Sequence, residues 1–147
     1  MQIRPAKVTD LEFIQSCAVA AYTKYIERIG KPPAPMVADF AEAVNNDTVS
    51  VIESSGELVG YVVYYPVDSE MHLENVAVLP DYHGKGFGRA LIAHVEESAK
   101  ACAMKSVSLY TNEAMTENLQ LYPSLGYSEY KRCTEAGFKR VFFNKLL

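Results

Sequence analysis

Asn75-Val76-Ala77-Val78-Leu79-Pro80-Asp81-Tyr82-His83-Gly84-Lys85-Gly86-Phe87-Gly88-Arg89-Ala90-Leu91 changes texture twice. Its opening is apolar and β-branched, and Pro80 ends that run because it has no N–H to give a strand ladder. Three alternate glycines follow, and beyond them Leu91, Ile92, Val95, Ala99 and Cys102 fall on one helical face. The stretch therefore reads as strand, glycine loop, helix. Such a loop lets backbone N–H groups converge on an anion where the helix dipole favours negative charge, so phosphate binding is the functional reading. A turn that serves only tight packing is the alternative. Two other phosphate motifs do not fit. A P-loop needs four residues between its glycines and a following Gly-Lys-Ser/Thr, and a dinucleotide fingerprint follows the first strand of a parallel sheet, with an acidic residue about 20 positions on.

Working outward, Ser106 to Tyr110 is the next strand, which makes the unit a βαβ crossover with parallel pairing. Upstream, Val49 to Ile52 and Leu58 to Tyr65 flank the turn Ser54-Ser55-Gly56-Glu57, and Met71 to Leu79 adds a third antiparallel strand. Downstream, a helix from about Met115 to Leu125 stops at Gly126, and strands Tyr127 to Cys133 and Phe138 to Lys145 flank Glu135-Ala136-Gly137. At the start, the capping-box pattern Thr9-Asp10-Leu11-Glu12 and the spacing of Leu11, Ile14, Ala18, Ala21, Tyr22 and Tyr25 predict a helix over about 10–28. Gly30 and Lys31-Pro32-Pro33-Ala34-Pro35 separate it from a helical stretch around Met36 to Val44. The expected architecture is α+β, one domain over residues 1–147. It has a central mixed, mostly antiparallel sheet of about six to seven strands, with about four helices on its faces.

Composition narrows the function classes. The 147 residues are 49% apolar and 22% charged, which excludes disordered, collagenous and coiled-coil classes. A balance of 14 Lys and Arg against 18 Asp and Glu, net −4, argues against a general binder of nucleic acid or membrane surfaces. Cys17, Cys102 and Cys133 are an odd, widely spaced set without a Cys-x-x-Cys pair, so buried free thiols are expected. The N-terminus has no apolar leader, and the run Val62 to Val67 is far short of the about 20 residues of a bilayer span. A soluble, cytoplasmic protein is the expectation. His72, His83 and His94 lack metal-ligand spacing, and no metal is expected. The sequence is compatible with a homodimer and shows none.

With these elements placed, the chain resembles the GNAT superfamily of acyl-CoA-dependent N-acetyltransferases over essentially its whole length. Asn75 to Leu91 is similar to that family's strand, pyrophosphate loop and helix, and Leu121-Tyr122-Pro123-Ser124-Leu125-Gly126-Tyr127 to its later helix and strand. The resemblance implies acetyl-CoA as co-substrate, with the backbone amides of Gly84, Lys85, Gly86, Phe87, Gly88 and Arg89 on its pyrophosphate. It also implies that Val76 and Val78 pair through their backbones with the pantetheine arm, in a sheet splayed open at a bulge. Two positions depart from the family pattern. His83 stands where Gln or Arg is usual, and Met115 where many members carry Asn, which leaves Asn118 as the nearest polar substitute for a cofactor contact.

Acetyl transfer to a primary amine needs a neutral nucleophile, a stabilised oxyanion and a proton for the departing thiolate. An amine of pKa about 10.4 is neutral only about 0.1% of the time at pH 7.4, so a base helps. Glu74, two residues from Val76, is the candidate base, with a solvated strand-face carboxylate as the alternative reading. Tyr122 matches the family tyrosine that approaches the coenzyme sulfur and is the candidate acid; core packing is its alternative. A backbone N–H near Val76 or Ala77 would polarise the thioester carbonyl. On an unbulged strand His72 shares a face with Glu74 and is a further candidate to line the acceptor cleft, whereas His94 is expected to be solvated mid-helix. Acceptor choice is assigned to Tyr22, Tyr25 and Arg28, the proline segment and the Glu135 to Gly137 turn, and the acceptor amine itself is not identified. A non-catalytic acyl-CoA-binding or sensing module is the competing function. A histone- or ribosome-directed enzyme is a third reading, which the lack of an extra interaction segment weakens.

Overall fold

The computed structural model covers residues 1–147. Seven strands, β1 (Gln2–Pro5), β2 (Val49–Ser54), β3 (Glu57–Val67), β4 (Glu70–Val78), β5 (Ser106–Asn112), β6 (Ser128–Glu135) and β7 (Phe138–Leu146), form one sheet in the order β1-β2-β3-β4-β5-β7-β6. Only β4 and β5 pair in parallel, as the crossover between them requires. The helices are α1 (Leu11–Tyr22), α2 (Ile26–Ile29), α3 (Ala34–Val37), α4 (Ala41–Asn45), α5 (Phe87–Ala101) and α6 (Thr116–Ser124). This is the mixed, mostly antiparallel α+β architecture that the sequence predicts. None of the helices is long and apolar enough to cross a membrane.

Strand alternation sorts the core into two layers. Val62, Leu73, Val107, Leu109, Val141 and Phe143 pack with Leu91, Ile92, Val95 and Ala99 of α5, while Val49, Val51, Tyr61, Val63 and Ala77 pack on the other face with Ile14, Cys17 and Ala18 of α1. Burying each such Val or Leu contributes about 1.5–3 kcal/mol, so α5 is fastened along its length to the centre of the sheet.

Several local expectations change. β1 has no counterpart in the sequence reading. It is short and pairs only with β2, so it carries little periodicity of its own. The first helix is broken by a 3-10 turn at Thr23–Tyr25, where the Thr23 hydroxyl bonds back to the Val19 carbonyl. The Thr9 to Glu12 box does not form; instead Asp10 accepts the Lys7 N–H at 2.8 Å and pairs with Arg4 at 2.8 Å. The stretch around Met36 to Val44 is two short helices, and Asp39 accepts the Ala41 N–H at their junction. Of the three thiols only Cys17 is buried; Cys102 caps α5 in solvent and Cys133 is half-buried. His94 is half-buried, with its ring nitrogen 3.1 Å from the Tyr64 hydroxyl.

Candidate active site

β4 and β5 stay paired only from Glu70 and Ser106 to Leu73 and Leu109. Beyond that, β4 keeps to β3 while β5 keeps to β7, and a gap opens between them. It opens at a bulge. Val63 faces Asn75 and Tyr64 faces Leu73, which leaves Glu74 as the extra residue of β4. The candidate base is thus the bulged residue itself. Its exposed carboxylate accepts the Tyr65 hydroxyl at 3.0 Å, and burial together with that carboxylate pushes the Tyr65 phenol up to about 12.

Past the bulge the backbone register decides which groups are free. The Leu79 N–H donates to the Val59 carbonyl at 2.8 Å, and antiparallel alternation then turns Ala77 and Asn75 toward β3 and the backbone groups of Val76 and Val78 toward the gap. Of the two amides that the sequence offered as carbonyl donors, Val76 therefore faces the gap and Ala77 does not. The Ala77 carbonyl lies against Gly60, where an added Cβ would come within 2.7 Å of it. Two outward carbonyls already hold side chains: Val76 accepts the Tyr22 hydroxyl at 2.9 Å, and Val78 accepts His83 Nε2 at 2.7 Å.

The glycine loop closes one end of the gap. Gly84 and Gly86 take the left-handed region, with φ of +77° and +89°, which only glycine adopts without strain. The first α5 bond runs from the Ala90 N–H to the Gly86 carbonyl at 3.0 Å. Six consecutive amides, Gly84 to Arg89, consequently have no backbone acceptor, and the side chains of Lys85 and Arg89 stand exposed beside them. A row of unsatisfied donors at the start of a fifteen-residue helix is an arrangement that favours a negatively charged ligand.

Opposite, α6 presents Tyr122, 4% exposed, edge-on to Tyr127 at 5.6 Å and tilted against Phe143 at 5.8 Å. No protein group bonds its hydroxyl, yet no enclosed side-chain polar atom lacks a partner, so the hydroxyl opens on the cleft. Burial raises its pKa above that of an ordinary tyrosine. Asn118 also lines the cleft but gives its amide to Thr111 Oγ1 at 3.0 Å, beside the buried Met115.

The whole cleft measures about 630 Å³. Its far end is assembled from distant segments. Tyr22 and Tyr25, Pro33 to Pro35, Tyr110, and Phe138 and Arg140 all line it. Glu117 ties this end together, accepting from Arg28 at 2.6 Å and Tyr25 at 3.2 Å and pairing with Lys24 at 3.3 Å, and the Arg28 bond holds its carboxylate well below the usual range. Lys31 sits 4.1 Å over the Phe138 ring and joins the proline segment to the β6–β7 turn. Arg28 and Glu135 serve as braces rather than lining, since Glu135 pairs with Arg140 at 3.0 Å. His72 lies behind the wall, stacked on Tyr110 at 5.8 Å, and burial lowers its pKa. Sequence reasoning gave no role to Asn75, Tyr110 or Arg140. Asn75 had a readable signal, a polar residue inside an apolar strand.

Residues 14–127 match the acetyltransferase (GNAT) family. Over 78 residues the chain is 30% identical to the [ribosomal protein bS18]-alanine N-acetyltransferase of Escherichia coli K12, covering 53% of each, so it spans about half the length of that relative. Two solved structures share the fold. A ribosomal-protein-alanine N-acetyltransferase from Brucella melitensis superposes with a TM-score of 0.77 at 23% identity over all of both chains. An N-acetyltransferase from Thermoplasma acidophilum in complex with coenzyme A superposes with 0.77 at 14% identity, over 99% of this chain and 98% of that one.

Proposed function

The chain belongs to the acetyltransferase (GNAT) family, and from that premise we propose that it transfers the acetyl group of acetyl-CoA to a primary amine by direct attack within a ternary complex. The observation that carries the proposal is the row of six unpartnered amides from Gly84 to Arg89, set beside a strand whose Val76 and Val78 backbone groups face an open gap. These residues fit the co-substrate. The amides and Arg89 would hold its pyrophosphate, Val76 and Val78 its pantetheine arm, and the co-substrate supplies an activated thioester.

The side chains then divide the proton work. Glu74, bulged into the gap, takes a proton from the incoming ammonium directly or through water, which offsets the cost of presenting a neutral amine at pH 7.4, about 4 kcal/mol for a lysine-like amine and about 1 kcal/mol for an N-terminal α-amine. The Val76 N–H polarises the carbonyl. Tyr122 Oη, with no protein partner and a raised pKa, keeps its proton at neutral pH and delivers it to the departing sulfur. His83 and Asn118 lie at the two margins of the cofactor stretch, where their hydrogen bonds to Val78 and Thr111 shape the wall. The free cysteines support a cytoplasmic site of action.

The test is coenzyme A release from acetyl-CoA with a panel of amines: an alanine-N-terminal peptide, a lysine peptide, a polyamine and an aminoglycoside. The relatives named for a ribosomal-protein alanine make an alanine N-terminus the first acceptor to try. Amine-dependent release supports the transferase. Tight acetyl-CoA binding with no release from any amine would mark the chain as an acyl-CoA-binding module instead.

A further inference from the structure

Tyr22, at the end of α1, makes two hydrogen bonds with one proton. Its hydroxyl lies 2.9 Å from Asn75 Oδ1 and 2.9 Å from the Val76 carbonyl. Both partners are carbonyl oxygens, which cannot donate, so the Tyr22 proton is committed to the protein. What the phenol oxygen offers the cleft is lone pairs. Asn75 is itself held, since its Nδ2 donates to the Tyr61 hydroxyl at 2.9 Å, and Tyr61 is wholly buried between β3 and α1. A chain of three polar groups thus runs from the core to the cleft wall and fixes the polarity of one oxygen there. That oxygen sits at the Val76 carbonyl, beside the amide proposed to polarise the thioester, and burial, with Tyr122 nearby as a smaller contributor, raises the Tyr22 pKa.

We infer that the Tyr22 oxygen is the hydrogen-bond acceptor that orients the attacking amine, with Asn75 as its positioning residue; the inference rests on the acetyl-transfer reading above. An amine about to attack must hold its N–H bonds away from the thioester so that its lone pair points at the carbonyl carbon. A hydroxyl free to rotate could compete by donating to that lone pair. The Tyr22 hydroxyl is not free to rotate, so it can only accept. The site therefore selects acceptors with at least two N–H bonds in the neutral form, one for Tyr22 and one whose proton is lost after attack and replaces the proton that Tyr122 has given to sulfur, and it disfavours secondary amines.

The test uses the full chain with the most productive amine of the panel and its N-methyl derivative. Tyr22→Phe removes the acceptor and keeps the ring; amine KM should rise about tenfold or more while the acetyl-CoA dissociation constant, measured by calorimetry, moves less than about twofold. Asn75→Leu leaves the Val76 carbonyl as the sole anchor, and a smaller rise in amine KM is expected. Discrimination against the N-methyl amine should shrink in Tyr22→Phe. Unchanged amine KM, or a loss confined to acetyl-CoA affinity, would make Tyr22 a cap on β4 and overturn the inference alone. Absence of coenzyme A release by the unmodified protein would remove the parent reading and this one together.

Discussion

The two ends of the cleft are built from different materials. The anion end is backbone: six amides from one continuous segment, aimed by two left-handed glycines and the first turn of α5. The end proposed for the amine is side chain, drawn from α1, the proline segment, β5, β7 and α6, and braced by ion pairs at Glu117 and Glu135. A backbone site cannot be retuned by substituting a functional group, because every residue supplies the same N–H. A side-chain site can be retuned one residue at a time.

Tyr122 is where the two ends meet, and losing its hydroxyl should give the largest effect. General acid catalysis contributes about 10²–10⁴-fold, so Tyr122→Phe is expected to lower kcat by that factor, with the ring packing against Tyr127 and Phe143 and the acetyl-CoA affinity preserved. A thioester with a more acidic leaving thiol should recover part of the rate. Next in size is the anion end itself. Gly86→Val forces a β-branched residue to φ +89°, a strain of about 1–3 kcal/mol, and turns the amide row away from its ligand. Calorimetry should show acetyl-CoA affinity falling about tenfold or more. Gly88→Ala is the control, since φ is ordinary there and the new Cβ would meet only Val78 at 3.9 Å. Any loss in that variant reports ligand approach and not backbone strain.

The same contrast explains what could be read from the sequence. Glycine spacing after Pro80 and the apolar face of α5 are local signals, and they located the loop at Gly84, Gly86 and Gly88 without any knowledge of distant residues, while the extent of the amide row to Arg89 came from the family resemblance. Glu74 could be singled out as a candidate too, but its status as the bulged residue depends on the register between β3 and β4, which no single strand contains. Tyr110 and Arg140 join the cleft because β5 pairs with β7 across 27 intervening residues or more, a long-range fact without a local signature. The broken first helix follows from Thr23 satisfying its hydroxyl on its own backbone while Tyr25 turns toward Glu117, again a tertiary outcome overriding periodicity.

Glu74→Gln probes the hinge between the two ends more gently, since the carboxylate is exposed and water can replace part of its work. The rate at pH 7 should fall about tenfold, and the deficit should close as pH approaches the amine pKa of about 10.4, where the nucleophile is already neutral. Because burial raises the Tyr122 pKa, its phenol stays protonated through that range, and kcat of the unmodified protein should show no falling limb up to about pH 10. A rate that fell above pH 9 would place the acid on a less buried group.

The smallest expected effect belongs to the brace at Glu117. Glu117→Gln keeps a hydrogen-bond acceptor for Tyr25 but discards the charge that holds Arg28 and Lys24. These pairs are about half exposed, so solvent screening leaves them little weight in global stability, and the melting temperature should drop by no more than about 3 °C. The sign of its pH dependence is fixed by the depressed carboxylate pKa, which stems first from the Arg28 hydrogen bond. A depressed acid contributes stability that is present above its unfolded pKa, about 4.3, and is lost as pH falls toward the folded value. The gap in melting temperature between the unmodified chain and Glu117→Gln should therefore be constant around neutrality and close at acidic pH. Function should register the change more than stability does. Once the charge holding Arg28 is gone, the turn carrying Tyr25 keeps only its neutral bond to α6, and amine KM should rise about two- to fivefold while acetyl-CoA affinity stays put. An equal change in both constants would show that the brace serves the whole cleft, and the division between a backbone end and a side-chain end would then fail at the helix that joins them.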